Sequence, residues 1–277
     1  MTSDQVYGLV AGLLSAAVFG VAAVAQAHGV RRSGAAPDRL VAFVARSVRD
    51  PWTWAVLVAY LVGFLLHAVA IWLLPLYLAQ ATIAMSLPVT AFTSRRLAER
   101  LDARQWSAIG LVTGGLVLLS LGAGDAGEVV TTTAFVASLW AGVALLTVAS
   151  LLAGRLHGAG LGALAGLGYA GSAIAVRGVT TPIDTGVVLA ALAVPSLSLI
   201  AFWLYSRGMH GDGITTTTAP MIVMQTFVPA LLGVVLLGDG VRDGWWWSVV
   251  LGLVLSTAGA VALTHAQAVP ARASGVS

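Results

Sequence analysis

Residues 8–20 read GLVAGLLSAAVFG and residues 158–170 read GAGLGALAGLGYA, so small residues recur every four positions in both stretches. Residues four apart share a helix face, and a face of small residues lets a neighbouring backbone approach closely. The stretches are 150 positions apart, and Phe19 corresponds to Tyr169 at that offset. We therefore predict two related, closely packed helices. The glycines assigned to this packing are Gly8, Gly12, Gly20, Gly158, Gly162 and Gly166.

The composition places these helices in a lipid bilayer. Hydrophobic residues make up 58% and charged residues 9% of the 277 residues, and the mean hydropathy is +0.94. A soluble domain has roughly 25% charged residues, so a water-soluble enzyme is excluded. A crossing helix needs about 20 apolar residues. On that basis nine spans are predicted, at 5–27, 52–73, 74–94, 107–123, 132–154, 158–178, 185–206, 213–237 and 246–265.

The expected fold is an all-α polytopic membrane helix bundle, a single transmembrane domain over 1–277. Pro88 matches Pro229 at an offset of 141, and Gly110 matches Gly252 at 142. Matched spans are an odd number apart, so the copies have opposite orientation, as in the inverted-topology repeats of secondary transporters. The alternative is that the glycine faces only serve packing. The segments are a first repeat (5–123), a linking helix (132–154), a second repeat (158–265) and a cytoplasmic tail (266–277).

Prolines predict where helices are interrupted, because proline cannot continue a helix without losing a hydrogen bond. Pro75 is assigned to the turn between the second and third spans. Pro88, Pro220 and Pro229 are assigned to helix breaks.

Arginine placement predicts the orientation, since all 14 basic residues are arginine. The nine spans put Arg177 and Arg242 on one side and the other twelve arginines on the opposite side. By the positive-inside rule the twelve face the cytoplasm, so the amino terminus is outside and the carboxyl terminus inside the inner (plasma) membrane. The first span could instead be a secretory signal, but its amino end carries Asp4 and no basic residue.

The missing residue types exclude several kinds of chemistry. Without cysteine there is no disulfide or thiolate metal site, and without lysine there is no Walker A sequence. The G-x-G-x-x-G match at 166–171 lies inside an apolar helix and follows no strand, so packing explains it better than a dinucleotide. We expect no enzyme activity, no metal and no cofactor. The expected partners are the lipid bilayer and a small-molecule substrate, not nucleic acid, and a homodimer is left open.

A few polar and aromatic side chains at membrane depth are candidates for substrate binding. His67 is an ionisable residue in the middle of the second span, where such residues are usually functional. It could bind a polar group or couple protons; the alternative is a neutral histidine bonded to a neighbouring helix. For Gln80, near a span end, the favoured alternative is the membrane interface. The remaining candidates are Gln225, Thr218, Met221, Tyr169 and Trp203.

One stretch carries a family resemblance. It runs from Gly63 through Pro75 to Ser86, continues with Glu99-Arg100-Leu101, and ends in the glycine-rich span that follows. It resembles the drug/metabolite transporter superfamily (EamA-like), nearest to the nine-span branch that includes the NIPA-type magnesium transporters. The resemblance implies two inverted halves, a central cavity and transport without ATP hydrolysis.

The sequence departs from the magnesium transporters at Phe64, where they place an acidic residue, and no predicted span has an interior carboxylate to bind a hard dication. The expected function is therefore secondary transport of a small organic solute by alternating access. A non-transporting membrane scaffold or assembly protein is the alternative, and a magnesium or divalent-cation transporter is third.

Overall fold

The computed structural model describes residues 2–33, 50–95, 103–129, 131–212 and 214–268. In these ranges the chain is helical and has no strand beyond an isolated bridge between Ala123 and Val241, which confirms the all-α expectation. The helices are α1 (Ser3–Ser33), α2 (Pro51–Leu73), α3 (Leu76–Ala84), α4 (Ser86–Arg95), α5 (Ala103–Gly122), α6 (Thr133–Leu152), α7 (Gly158–Arg177), α8 (Thr185–Asp212), α9 (Ile214–Leu236) and α10 (Trp246–Ala268).

Five of these helices are long and apolar enough to cross a membrane, judged by length and composition in the described ranges. They are Ser3–Ala25 within α1, then α2, α6 and α7, and Thr185–Gly208 within α8. Shorter apolar segments lie in α5, α9 and α10. The chain thus has the helices of an integral membrane protein. The Glu99-Arg100-Leu101 stretch and most of the tail at 266–277 lie outside the described residues.

The predicted third span consists of two short helices. Pro75 precedes α3, and the chain is extended at Leu74 and Pro75, where the turn is expected. The second interruption lies at Met85 and not at Pro88, which is in the first turn of α4. A proline is tolerated in the first turn, because the N–H groups of that turn have no acceptor within the helix and the one that proline lacks is not needed. The expectation of a break at Pro88 was therefore wrong by three residues.

Two further prolines do not break their helix. Pro220 and Pro229 both lie inside α9, which is continuous from Ile214 to Leu236, so the breaks predicted there are absent. Each proline removes one backbone hydrogen bond. In an apolar bundle, neighbouring helices and local side chains can accommodate such a loss without ending the helix.

The helices pack through the glycine faces. α1 packs against α2, α3 and α4, α7 packs against α8 and α9, and α5 packs along α10. A Cβ added at Gly12 would lie 2.6 Å from Thr82 Oγ1, and one at Gly162 would collide with the carbonyl of Thr217. Added methyls would thus push α3 from α1 and α9 from α7.

The contact between α5 and α10 uses a different glycine from the one matched in the sequence. A Cβ at Gly115 would lie 2.7 Å from the carbonyl oxygen of Gly252, while Cβ atoms at Gly110 and Gly114 would meet nothing within 4 Å. The sequence match between these two helices concerned their place in a repeat, and their contact through Gly115 is set by the packing.

Replacing Gly162 with alanine tests these close contacts. We expect Gly162→Ala to lower the free energy of unfolding by about 1–3 kcal/mol, because the methyl would displace α9. The matched control is Gly142→Ala on α6, where an added Cβ meets nothing within 4 Å. It should be neutral or stabilising by up to about 1 kcal/mol. Thermal unfolding in detergent measures both, and equal midpoints would contradict the packing.

A disulfide tests how α5 and α10 meet. Ala123 and Val241 oppose each other in an antiparallel bridge, where Cα atoms are roughly 4.5–5.5 Å apart and suit a disulfide. The chain has no cysteine, so Ala123→Cys with Val241→Cys should cross-link on mild oxidation and shift in a non-reducing gel. The control is Ala123→Cys with His157→Cys. His157 lies at the start of α7, at the other end of that helix from Arg177, and should not cross-link to position 123. Cross-linking of the control alone would refute the arrangement.

Candidate functional site

A buried ion pair joins the ends of several helices. Arg177, the last residue of α7, binds Asp239 in the loop after α9 with a distance of 2.5 Å between Nη2 and Oδ1. The two side chains are 4% and 0% exposed. The Arg177 guanidinium also donates to the carbonyls of Leu74 and Gly127, at 3.0 and 2.8 Å. We call Arg177, Asp239 and their backbone partners the polar clamp.

The Asp239 carboxylate completes the polar clamp from the other side. It accepts hydrogen bonds from the N–H groups of Leu76, at 2.5 Å, and Gly127, at 2.9 Å. Leu76 begins α3, and the first N–H groups of a helix have no partner within it. A negative charge is favourable at a helix N-terminus and a positive charge at a C-terminus. Asp239 at the start of α3 and Arg177 in the last turn of α7 are therefore both well placed.

The backbone around the ion pair is shaped by the loop after α9. Gly238 has a φ of +74°, a conformation that glycine adopts without strain, and it reverses the chain after the helix. The N–H of Asp239 then donates to the carbonyl of Gly233, at 3.0 Å. This turn is what directs the Asp239 side chain back into the bundle.

Further hydrogen bonds tie neighbouring segments to the polar clamp. Trp72 Nε1 donates to the carbonyl of Val176, and the Tyr77 hydroxyl donates to the carbonyl of Gly240, each at 3.0 Å. At the same end, Gln5 of α1 donates to the carbonyl of Gly124, at 2.9 Å. This is the end of the bundle that the arginine distribution predicts to be outside.

Only indirect signs of the polar clamp are visible in the sequence. Arginine placement puts Arg177 on the outer side, and the span bounds put Asp239 in the loop after the eighth span. Both interpretations missed that the two side chains are buried together. A lone acid within a glycine-rich turn, in a chain with few acids, was the available signal.

The predicted candidates His67 and Gln80 meet in the bundle interior. They are 5% and 3% exposed, and the Gln80 amide nitrogen lies 3.5 Å from His67 Nε2. Gln80 is thus buried among the helices of the protein, because α3 packs inside the bundle after the turn at Pro75. The Nδ1 atom of His67 is buried and has no partner in the described part of the chain. We call His67 and Gln80 the inner polar pair.

The candidates on α9 differ in their burial. Gln225 is half-buried, and Met221 is buried where α9 crosses Gly166 of α7. The side chain of Thr218 lies outside those described. No bond between Gln225 and the inner polar pair is found in the described residues.

The aromatic candidates Tyr169 and Trp203 lie in one region of the bundle. Tyr169 is half-buried and lies near Tyr60 and Tyr205. Tyr60 in turn contacts Phe202, with ring centroids 6.4 Å apart. These rings come from α2, α7 and α8, and three of them carry hydroxyl groups that can bind a solute.

Trp203 is the second aromatic candidate. It packs in an apolar cluster with Leu161 and Leu204, and the Arg207 guanidinium lies 5.1 Å from its ring centroid. Its indole N–H is buried and has no acceptor in the described residues. The structure therefore places Trp203 in the cluster against which Tyr169 and Tyr205 pack.

The described ranges contain an apolar groove. It has a volume of about 560 Å³ and lies between α6, α7 and the end of α9, where Leu145, Leu167 and Leu236 line it. Within those ranges, no group of three or more His, Asp or Glu side chains could hold a metal ion. The inner polar pair does not line this groove and lies in the bundle interior.

A comparison of the chain with protein-family models, with curated proteins and with solved structures found no match. The resemblance to the drug/metabolite transporters therefore rests on the residues quoted above.

Stability measurements can test the polar clamp. Arg177→Met leaves the Asp239 carboxylate buried without its charged partner, and we expect it to cost about 3–5 kcal/mol of unfolding free energy. Adding Asp239→Asn removes the uncompensated charge and should recover part of that loss. The control Arg242→Gln, at an exposed arginine of the same end, should change stability by less than about 0.5 kcal/mol. Additive losses in a double-mutant cycle would contradict the coupling.

Proposed function

We propose that this protein is a secondary transporter that moves a small organic solute by alternating access between two inverted halves, as in the drug/metabolite transporters it resembles. The observation that carries the proposal is the set of polar groups inside the bundle: the inner polar pair, and the hydroxyls of Tyr60, Tyr169 and Tyr205. Polar side chains at membrane depth are costly and usually line a substrate path.

The packing of the helices supports two related halves. α1 packs on α2 and on α3 and α4, as α7 packs on α8 and α9, while α5 pairs with its proposed counterpart α10. Counting α3 and α4 as one interrupted span gives nine crossings. The polar clamp then joins the start of α3 to the ends of α7 and α9, which are predicted to meet on one side of the membrane.

Charge supports the proposed class of solute. In the described residues the one salt bridge is Arg177–Asp239, whose charges offset each other. The inner polar pair is an imidazole and an amide, so it offers hydrogen bonds without a fixed negative charge. A strongly charged cation would find no counter-charge there. An apolar or zwitterionic metabolite or amphiphile fits better.

Flux into proteoliposomes from a panel of labelled metabolites tests the proposal. We expect uptake of at least one solute, and His67→Asn should reduce it by about tenfold, because losing a buried hydrogen-bonding partner costs roughly 1–3 kcal/mol. The matched control is His265→Asn, at an exposed histidine near the end of α10. It should leave flux unchanged.

Folding must be followed beside flux. A non-transporting scaffold predicts no flux from the panel, and it predicts that His67→Asn and Gln225→Ala change stability alone. That combination of results, obtained with intact folded protein, would overturn the transport proposal.

A further inference from the structure

The polar clamp connects segments that belong to different parts of the bundle. Leu74 and Leu76 lie on the two sides of Pro75, whereas Arg177 ends α7 and Asp239 follows α9. All of these segments are helix ends or turns, and their connections are made by two side chains. Separating those two side chains would therefore release the start of α3 from α7 and α9 together.

An ion pair suits a contact that opens and closes. Burying two charges costs nearly as much free energy as their attraction and hydrogen bonds return. When such a pair separates into water, both charges regain hydration, so the joined and separated states can lie close in free energy. Apolar packing has no comparable compensation, because separation exposes its surface to water.

The inner polar pair lies directly behind the polar clamp along α3. Gln80 is four residues after Leu76, which is roughly 6 Å along a helix. The Leu76 N–H is held by Asp239, and the Gln80 amide contacts His67 of α2. A displacement of the start of α3 would therefore reach the Gln80–His67 contact within about one helical turn.

We propose that the Arg177–Asp239 pair is a gate that closes the substrate path at this end of the bundle, and that its separation exposes the inner polar pair to water. The inference rests on the proposed function, because a gate presupposes a path between the two faces. It adds to that function the contact that opens and closes the path. The moving element is α3, which is bounded by the interruptions at Pro75 and Met85.

A single-cysteine reporter tests the gate in a chain that has no cysteine. Gln80→Cys is treated with a membrane-impermeant maleimide in vesicles of both orientations. From the clamp side we expect slow labelling with the pair intact. Adding Asp239→Asn should accelerate labelling on the order of tenfold, as the open state gains population.

Arg177→Lys is the milder second variant, since it keeps the charge and loses the fork of hydrogen bonds. It should also accelerate labelling, by a smaller factor. The control Arg242→Gln removes an arginine from the same end outside the polar clamp, and should label at the parent rate. Equal rates in all four proteins, each checked for folding, would overturn the gate.

Hydrogen exchange in the unmutated protein gives a test that needs no variant. The Leu76 N–H has the Asp239 carboxylate as its partner, so its exchange requires the polar clamp to open. A gate predicts that the peptide covering 74–79 exchanges faster than the interior of α7. Equal protection of the two segments would contradict it.

The outcomes separate this inference from the proposed function. Labelling and exchange that respond as expected, without flux from any solute, would support the gate and count against transport of the tested panel. Flux with unchanged labelling and strong protection of 74–79 would support transport and overturn the gate.

Discussion

The ion pair between Arg177 and Asp239 is the contact on which one end of the bundle depends. It brings the end of α7, the loop after α9 and both sides of the Pro75 turn to one point. Each charge also satisfies backbone groups that the helix ends leave without partners. Losing either charge would leave the other buried and uncompensated, so the two side chains act as a unit.

The rest of the bundle is held by close contact of small residues. Glycines on α1 and α7 let α3 and α9 approach until an added methyl would collide, and Gly115 does the same between α5 and α10. Such packing is dense and leaves little freedom to move. Motion is therefore expected where packing is interrupted, and α3 is the short helix that has an interruption at each end.

Much of the fold could be predicted because helical periodicity and hydropathy are local properties. The positions of most helices and of the turn at Pro75 follow from residues close together in the sequence. The breaks expected at Pro220 and Pro229 do not occur, since surrounding helices compensate a lost hydrogen bond, which no single segment reveals. The burial of Gln80 was missed for a related reason, since it depends on how the helices pack and not on the distance of Gln80 from a span end.

The sequence by itself determined the class of protein, since 58% hydrophobic and 9% charged residues are a property of the whole chain. It also determined which helices have close-packing faces, because a four-residue repeat of small side chains is visible without coordinates. Only the tertiary structure decided which polar groups meet. Arg177 and Asp239 are 62 positions apart in the sequence. His67 and Gln80 lie on the successive helices α2 and α3, and the turn at Pro75 lies between them. Contacts of this kind depend on the rotation and end positions of several helices at once, and local patterns carry no information about them.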